Sequence, residues 1–194
     1  MTVSRFDEGA SEFNRTTDVL VVCPSCSECA VSLGGRLSCD KCGYGIRYDS
    51  GKETWFGKVT VVYKGLCQNC LLKFSGDHTF DAWPNSNIFV ARCPECSTSV
   101  PTEIKRWQKI QGSFTDSDFG LPLWLQTTCK NHVLWADNLS HIEFLENYIG
   151  SDLRQRQPNL NRSLASRLPN WMKQASHRKH VMAGLKRLRN KLPS

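Results

Sequence analysis

The chain has 194 residues, 40% of them apolar and 22% charged, and this balance excludes an intrinsically disordered chain. Its ten cysteines are too many for an ordinary cytosolic core, so they indicate disulfides, metal ligands or redox groups. The net charge of +7 belongs to the tail: residues 151–194 hold eleven Lys and Arg and one acid, whereas the first 150 residues hold more acids than bases. A basic tail of this kind indicates a polyanion partner.

The N-terminus and the short apolar runs indicate the cellular compartment of the protein. Residues 1–8 lack the basic region and apolar run of a secretory signal. The longest apolar stretches, such as Val19–Cys23 and Val59–Tyr63, are far shorter than the roughly 20 residues of a membrane helix. We therefore expect a cytoplasmic protein with no membrane contact, in which reduced thiols favour metal binding over disulfides.

The first predicted module follows a polar leader. Residues 1–17 show no periodicity and are predicted to be a flexible leader. Val19–Val22 is predicted to be a strand that leads into Cys23, and two glycines within Leu33–Leu37 predict a hairpin turn. These features define a first zinc ribbon at 18–54.

A second module, also a zinc ribbon, is predicted at 55–112. Trp55–Leu66 is rich in β-branched and aromatic residues and is predicted to be a strand leading into a cysteine pair, and Ile88–Arg92 repeats that arrangement. The repeat is a weak internal duplication. Residues 112–120 have the composition of a linker and are predicted to close this half of the chain.

The region 113–194 is predicted to be a β-hairpin followed by basic helices. Leu121–Gln126 and His132–Ala136 form the predicted strands, and Asn138 is a good N-cap. An apolar stripe at helical spacing continues to Leu153, and Gln157-Pro158 is predicted to end this first helix. A second helical face spans Leu164 to Ala175, and a basic amphipathic helix ends the chain. The stripe consists of Leu139, Ile142, Leu145, Ile149 and Leu153.

The cysteine spacing predicts two structural zinc ions. A structural zinc site takes four ligands in a tetrahedron, and two Cys-x2-Cys turns supply them. Twelve residues separate the first two pairs, which is the loop length of a zinc ribbon, and twenty-two separate the last two. The predicted ligands are Cys23, Cys26, Cys39 and Cys42 for one ion and Cys67, Cys70, Cys93 and Cys96 for the other.

Several alternatives stay open at this point. The cysteines could be unpaired core residues or a redox pair, or each ion could take one pair from each module. Cys29 also lies at Cys-x2-Cys spacing from Cys26 and could replace Cys23, although a proline follows both Cys23 and Cys93. Cys129 and His132 form a Cys-x2-His pair that lacks a partner pair, so we interpret them as part of an ordinary turn.

The sequence predicts no enzyme and no small-molecule substrate. A catalytic zinc keeps one position open for water, whereas four cysteines close the site. No His-x-Glu precedes either Cys-Pro-x-Cys, so the deaminase pattern is missing. The chain also lacks the His-Glu-x2-His pattern of metalloproteases and a phosphate-binding Gly-x4-Gly-Lys-Ser/Thr loop.

The C-terminal motifs resemble those of a known family. Four segments are similar to those of bacterial zinc-ribbon proteins of the transcription-factor-IIB type, sometimes labelled primosomal-helicase-like: Phe119–Gln126, Val133–Ala136 with Asn138, His141–Arg156, and Ser163–Lys173. The resemblance covers roughly residues 20–192. It implies contact with nucleic acid or with the transcription machinery, by analogy with other ribbons.

Two functions are therefore expected. The first is a non-catalytic, nucleic-acid-associated protein whose basic helix contacts phosphates, with Trp171 as a candidate stacking residue. The second is an adaptor that docks on RNA polymerase or a replication protein. The expected fold is a small, metal-stabilised α+β protein with two tandem zinc ribbons, a β-hairpin and C-terminal helices. The candidate phosphate contacts are Arg178, Lys179, Lys186, Arg187, Arg189 and Lys191.

Overall fold

A computed structural model describes residues 5–7, 18–48, 54–84, 86–151, 153–155 and 168–193. The protein is a small α+β chain with antiparallel sheets and C-terminal helices, as expected. It divides into two compact units. Unit 1 comprises Met1–Ile46 and Pro122–Ser194, and unit 2 comprises Arg47–Leu121. The division groups the first cysteine module with the C-terminal region.

Four strands form the sheet that carries the first module. They are β2 (Val19–Val22), β3 (Cys29–Leu33), β4 (Arg36–Ser38) and β5 (Gly45–Arg47), hydrogen-bonded in that order. β2 and β3 pair antiparallel, as do β3 and β4. The predicted strand at β2 and the predicted hairpin between β3 and β4 are both confirmed.

The C-terminal part of unit 1 packs helices on a hairpin. Its elements are β10 (Leu125–Cys129), β11 (His132–Ala136), α1 (Leu139–Gly150), the single turn α2 (Asn170–Lys173), a 3-10 turn (Ala175–His177) and α3 (Arg178–Arg189). Leu125, Leu134, Ile142, Leu145 and Leu185 are fully buried in one apolar cluster between them. Burying each such side chain stabilises the fold by about 1.5–3 kcal/mol.

Strand β2 joins the first module to this core. The backbone N–H of Leu20 donates to the Asp137 carbonyl at 2.7 Å, and the Leu20 carbonyl accepts from Trp124 at 2.8 Å. The N–H of Val22 donates to the Pro122 carbonyl at 2.9 Å. Because β2 hydrogen-bonds both to β3 and to these residues that flank the β10–β11 hairpin, the first module and the helical region share one compact unit.

Helix α1 begins where predicted and ends earlier. Asn138 caps it by accepting from the N–H of His141 at 2.9 Å. The helix stops at Gly150, because Ser151 is extended and its hydroxyl donates to the carbonyl of Asn147 at 2.6 Å. The predicted continuation to Leu153 is wrong: Leu153–Gln155 is strand β12, paired parallel to β1 (Arg5–Asp7).

Two predicted segments are only partly described. Of the predicted leader at 1–17, the structure describes Arg5–Asp7 alone. Leu164, at the start of the second predicted helical face, lies outside the described residues. Within that face, α2 is a single turn that buries Met172.

Unit 2 is built on a second antiparallel sheet. Its strands are β6 (Val59–Leu66), β7 (Lys73–Phe80), β8 (Ile88–Arg92) and β9 (Ser99–Lys109), in the order β7-β6-β9-β8. The predicted strand at β8 is confirmed, and the strand predicted at Trp55–Leu66 begins at Val59. A β-bulge at Val62/Tyr63 shifts the register between β6 and β9.

The segment that resembles a linker is an ordered turn around a buried carboxylate. Asp116 is only 4% exposed. Its side chain accepts from the backbone N–H groups of Asp118 at 3.1 Å, Phe119 at 3.0 Å and Leu121 at 2.8 Å. Phe119 is fully buried, so this turn contributes to the core of unit 2.

Candidate metal centres

Each of the four Cys-x2-Cys pairs closes the same backbone turn, which we call a knuckle. In knuckle 1 the carbonyl of Cys23 accepts from Ser27 at 3.0 Å, and the N–H of Cys23 donates to the Glu28 carbonyl at 2.8 Å. Knuckles 2, 3 and 4, which begin at Cys39, Cys67 and Cys93, repeat both hydrogen bonds with lengths of 2.8 to 2.9 Å. The repeated turn places both sulfurs of a pair on the same side of the backbone.

The residue after the second cysteine of each knuckle has a positive φ. The values are 62° at Ser27, 72° at Gly43, 60° at Leu71 and 57° at Ser97. Only knuckle 2 places a glycine there, the residue that adopts this conformation without steric cost. A leucine at this position is unusual, because a side chain at positive φ crowds the backbone.

The knuckles bring the eight cysteines together in two groups of four. Thiol cluster 1 consists of Cys23, Cys26, Cys39 and Cys42, and thiol cluster 2 consists of Cys67, Cys70, Cys93 and Cys96. Within each cluster the sulfur atoms all lie within 4.8 Å of one another. Each cluster draws both of its pairs from one module, so the crossed arrangement does not occur.

The sulfur spacing fits a tetrahedral metal rather than disulfides. Between knuckles, Sγ of Cys23 lies 3.7 Å from Sγ of Cys42, and Sγ of Cys67 lies 3.5 Å from Sγ of Cys96. A disulfide requires about 2.05 Å. A tetrahedral ion with bonds of about 2.3 Å to sulfur places its ligands about 3.8 Å apart. Each cluster is therefore close to the geometry that holds one ion.

Burial differs consistently within each pair. The first cysteine of every knuckle is at most 2% exposed, and the second is half-buried or exposed. The first sulfur therefore anchors the knuckle to its sheet. The four donors of each cluster are all soft thiols with no carboxylate or imidazole among them, a set that suits zinc or iron rather than magnesium or calcium.

Two of the clustered thiols, Cys26 and Cys70, hold their protons more tightly than a free cysteine, whereas Cys96 loses its proton more easily. The N–H of Glu28 lowers the pKa of Cys26, but burial and hydrogen bonds with the other three thiols outweigh it and raise that pKa to about 12. The pKa of Cys70 is raised to about 12 in the same way, against the N–H of Leu72. Hydrogen bonds with Thr98 and Asn69 lower the pKa of Cys96 to about 5. Metal binding must therefore displace protons, and acid must oppose it.

Cys29 and Cys129 lie outside both clusters. Cys29 begins strand β3, where it pairs with Val22, and burial raises the pKa of its thiol to about 11. Cys129 is buried at the end of β10, directly opposite His132, and burial raises its pKa. The Cys-x2-His spacing is thus a hairpin turn, as interpreted from sequence. Within the described residues, groups of three or more side chains that could hold a metal occur only at the two clusters.

The six candidate phosphate contacts divide into three pairs. Arg178 donates to the carbonyl of Ser151 at 3.0 Å, and Arg189 pairs with Glu146 at 2.7 Å, so these two attach α3 to α1. Lys179 and Lys186 are exposed on α3. The remaining two are exposed as well, but each also donates to a β10 carbonyl at 2.7 Å: Arg187 to Thr128 and Lys191 to Gln126.

Trp171 is engaged inside unit 1. It stacks on His132 with ring centroids 4.6 Å apart and an angle of 10° between the planes. It is partly buried against the apolar core, and its carbonyl lies 3.0 Å from Nδ1 of His177. Because one face of its ring is covered by His132, Trp171 is not an open stacking surface for a base.

Comparison with family models, with curated proteins and with solved structures finds no match to this chain. Among the described residues, no helix is both long and apolar enough to span a membrane.

Proposed function

We propose that both thiol clusters hold structural zinc, as tandem zinc ribbons, and that the chain is a non-catalytic nucleic-acid-associated protein. The zinc assignment is supported by four thiols at near-tetrahedral spacing in each cluster. Zinc would cross-link two knuckles in each module and so hold short strands that bury little apolar surface. The resemblance to bacterial zinc-ribbon proteins supports the same class.

The non-catalytic assignment follows from the ligand sets. Four cysteines fill the coordination shell of a tetrahedral ion, so neither cluster leaves a position for a water or a substrate. The two hollows beside thiol cluster 2 lie on an exposed side of the sheet, and the residues that line them include no histidine or cysteine.

The outer face of α3 is the observation that carries the nucleic-acid proposal. Its exposed residues include Lys179, His180, Lys186 and Arg187, and Lys191 follows in the next turn. From Arg178 to the C-terminus the sequence has no Asp or Glu. The acids nearest along α1, Glu143 and Glu146, pair with Arg189. An acid-free cationic face attracts phosphates and releases their counterions.

Fluorescence anisotropy with labelled single- and double-stranded oligonucleotides tests this proposal. We expect binding of the zinc-loaded chain at low salt that weakens as salt rises, and a much weaker interaction for the double variant Lys179→Glu/Lys186→Glu. Lys41→Glu, an exposed lysine of knuckle 2, is the matched control. Removing two phosphate contacts should reduce the salt dependence, the slope of log affinity against log salt, by about 2. Equal binding by wild type and double variant would refute the α3 interface.

An adaptor role on RNA polymerase or a replication protein is a second candidate. The observation that favours it is the exposed aliphatic side chains of unit 2, among them Ile88 and Val90, at 62% and 60% exposure. Co-purification of polymerase or replication subunits with the tagged chain, under salt that removes nucleic acid, would support it.

A further inference from the structure

One side of the unit 2 sheet is open to solvent along all four strands. On β6, residues 62, 64 and 66 are exposed while their neighbours 61, 63 and 65 are buried or half-buried. Exposed residues of β7, β8 and β9 lie on the same side, because Leu66 pairs with Lys73, Lys64 with Glu103, and Ile88 with Glu103. His78 is the exception: it is exposed on the other side, where its ring stacks on Phe89. We call this side the open face.

The open face is strongly apolar for a solvent-exposed surface. Val62, Leu66, Ile88 and Val90 are between 38% and 62% exposed on it. Leu71 and Leu72, in the turn between β6 and β7, are also exposed. Six of the nine large apolar side chains exposed in the described residues therefore lie on or beside this one sheet. Single exposed apolar residues are ordinary, but a concentrated set marks an interaction surface.

The backbone conformation and the exposure of Leu71 are both unusual for a leucine. It combines a φ of 60° with 72% exposure, whereas the equivalent positions of the other knuckles are Ser27, Gly43 and Ser97. A leucine at positive φ costs backbone energy. Because its side chain buries little surface within the chain, the cost is not offset by packing. An external contact for this side chain accounts for both features.

Cations lie close to Leu66, whereas Val62 faces the exposed carboxylate of Asp77 on β7. Two hollows meet at Leu66. The first, of about 480 Å³, is lined by Lys64, Lys73 and Lys105 together with Glu103. The second, of about 560 Å³, extends from Leu66 to Gln68 and Asn69 of knuckle 3. Glu103 is already paired with Lys105, which leaves Lys64 and Lys73 as exposed cations on either side of Leu66.

The chemistry of this surface favours a protein over a nucleic acid. Single-stranded nucleic acids stack their bases on aromatic rings. Here Tyr63, Phe74 and Phe89 alternate with the exposed positions of their strands and are half-buried, with Tyr63 in contact with both phenylalanines. Of the three, only Phe74 also borders a hollow of the open face. The open face offers branched aliphatic side chains and lysines, which match a peptide segment with apolar and carboxylate side chains.

We propose that the open face, together with Leu71, is a docking surface for an acidic, amphipathic segment of a partner protein. Aliphatic or aromatic side chains of the segment cover Leu66, Leu71 and Val90, and its carboxylates pair with Lys64 and Lys73. Knuckle 3 lines one of the hollows, so a metal bound by thiol cluster 2 would help to hold this part of the surface. This inference does not depend on nucleic-acid contact by α3.

Panning a phage-displayed library of random linear peptides on the zinc-loaded full chain tests the proposal. We expect the enriched peptides to combine apolar and acidic residues. Synthetic copies should bind at least about tenfold more weakly to Lys64→Glu/Lys73→Glu and to Leu71→Asn. Leu71→Asn suits the positive φ, so this variant should stay folded. Lys41→Glu and Leu33→Asn, which change exposed residues of unit 1, are matched controls and should bind like wild type.

Metal content and thermal unfolding establish that each variant is folded. The proposal is overturned if no enriched peptide distinguishes wild type from Lys64→Glu/Lys73→Glu, or if the enriched peptides lack carboxylates. It is also overturned if an oligo-dT probe binds wild type but not this double variant while the peptides bind both equally, because the open face would then be a nucleic-acid surface.

Discussion

Arg189 of α3 faces Glu146 of α1 in a two-bond pairing. Nη2 lies 2.7 Å from Oε2, and Nε lies 3.3 Å from Oε1. The hydrogen bonds to Glu146 raise the pKa of Arg189 above its usual value. This pairing attaches α3 to α1. From sequence alone, Arg189 could not be distinguished from the other cations of the tail as a candidate phosphate contact.

Replacing Arg189 and Lys186 separately should distinguish attachment from phosphate contact. Arg189→Ala is expected to lower the melting temperature, more at low salt than at high salt, since exposed ion pairs are screened. Lys186→Ala should leave the melting temperature unchanged and weaken oligonucleotide binding. Calorimetry and anisotropy on both variants make the comparison. The reverse pattern would mean that Arg189 is the phosphate contact.

Metal analysis should find two zinc ions per chain. Cys39→Ser is expected to lose one of them and to unfold the first module, because the binding free energy of a structural zinc, on the order of 10 kcal/mol, is folding free energy. Cys29→Ser is the control within the same module and should retain both ions, since Cys29 lies outside thiol cluster 1. A count of one for wild type would contradict the assignment of thiol cluster 2.

The two thiols outside the clusters should react slowly. Burial raises the pKa of Cys29 to about 11 and also raises that of Cys129, so both remain almost entirely protonated at neutral pH. Because the thiolate is the nucleophile, alkylation should be slow at pH 7 and accelerate as pH rises toward 11. Mass spectrometry after iodoacetamide treatment measures this. Rapid labelling of Cys29 at pH 7 would contradict its described environment.

The cysteine clusters were predictable because a knuckle is a local structure. Spacing alone brings Cys23 and Cys26 into one turn, and the choice of Cys23 over Cys29 was aided by the following proline. The pairing of knuckles into clusters depends on longer-range structure. In this chain each knuckle shares a cluster with its neighbour in sequence, as predicted. The division of the chain into units was not evident, because it depends on backbone hydrogen bonds such as that from Leu20 to Asp137.

Strands β7 and β9 were not predicted, for a physical reason. β7 contains Ser75, Gly76 and Asp77, and β9 contains Pro101, all poor strand formers. Both strands form through pairing with β6, which is rich in β-branched residues. The helical stripe that continued to Leu153 failed for a related reason: pairing of β12 with β1 replaced the helix.

The role of Asp116 is not evident from sequence, because the composition of residues 112–120 resembles that of a linker. Asp116→Ala would leave three backbone N–H groups without their acceptor, at a cost of about 1 kcal/mol or more each, so we expect unit 2 to lose about 3 kcal/mol. Hydrogen exchange of the β6 and β9 amides measures the stability of this unit. Ser117→Ala, an exposed neighbour, should stay within about 0.5 kcal/mol of wild type. A similarly small effect at Asp116 would mean that the segment behaves as a linker.

Leu71 and Gly43 occupy equivalent positions in knuckles 3 and 2, so opposite substitutions should have opposite effects. Gly43→Ala places a side chain at a φ of 72° and should destabilise unit 1 by about 1 kcal/mol. Leu71→Asn should stabilise unit 2 by up to about 1 kcal/mol, because asparagine adopts positive φ more readily than leucine. Hydrogen exchange within each unit measures both changes. A Leu71→Asn variant that is more stable yet no longer binds the acidic peptides would show that this leucine serves binding rather than folding, whereas a loss of stability would show that its side chain supports the knuckle.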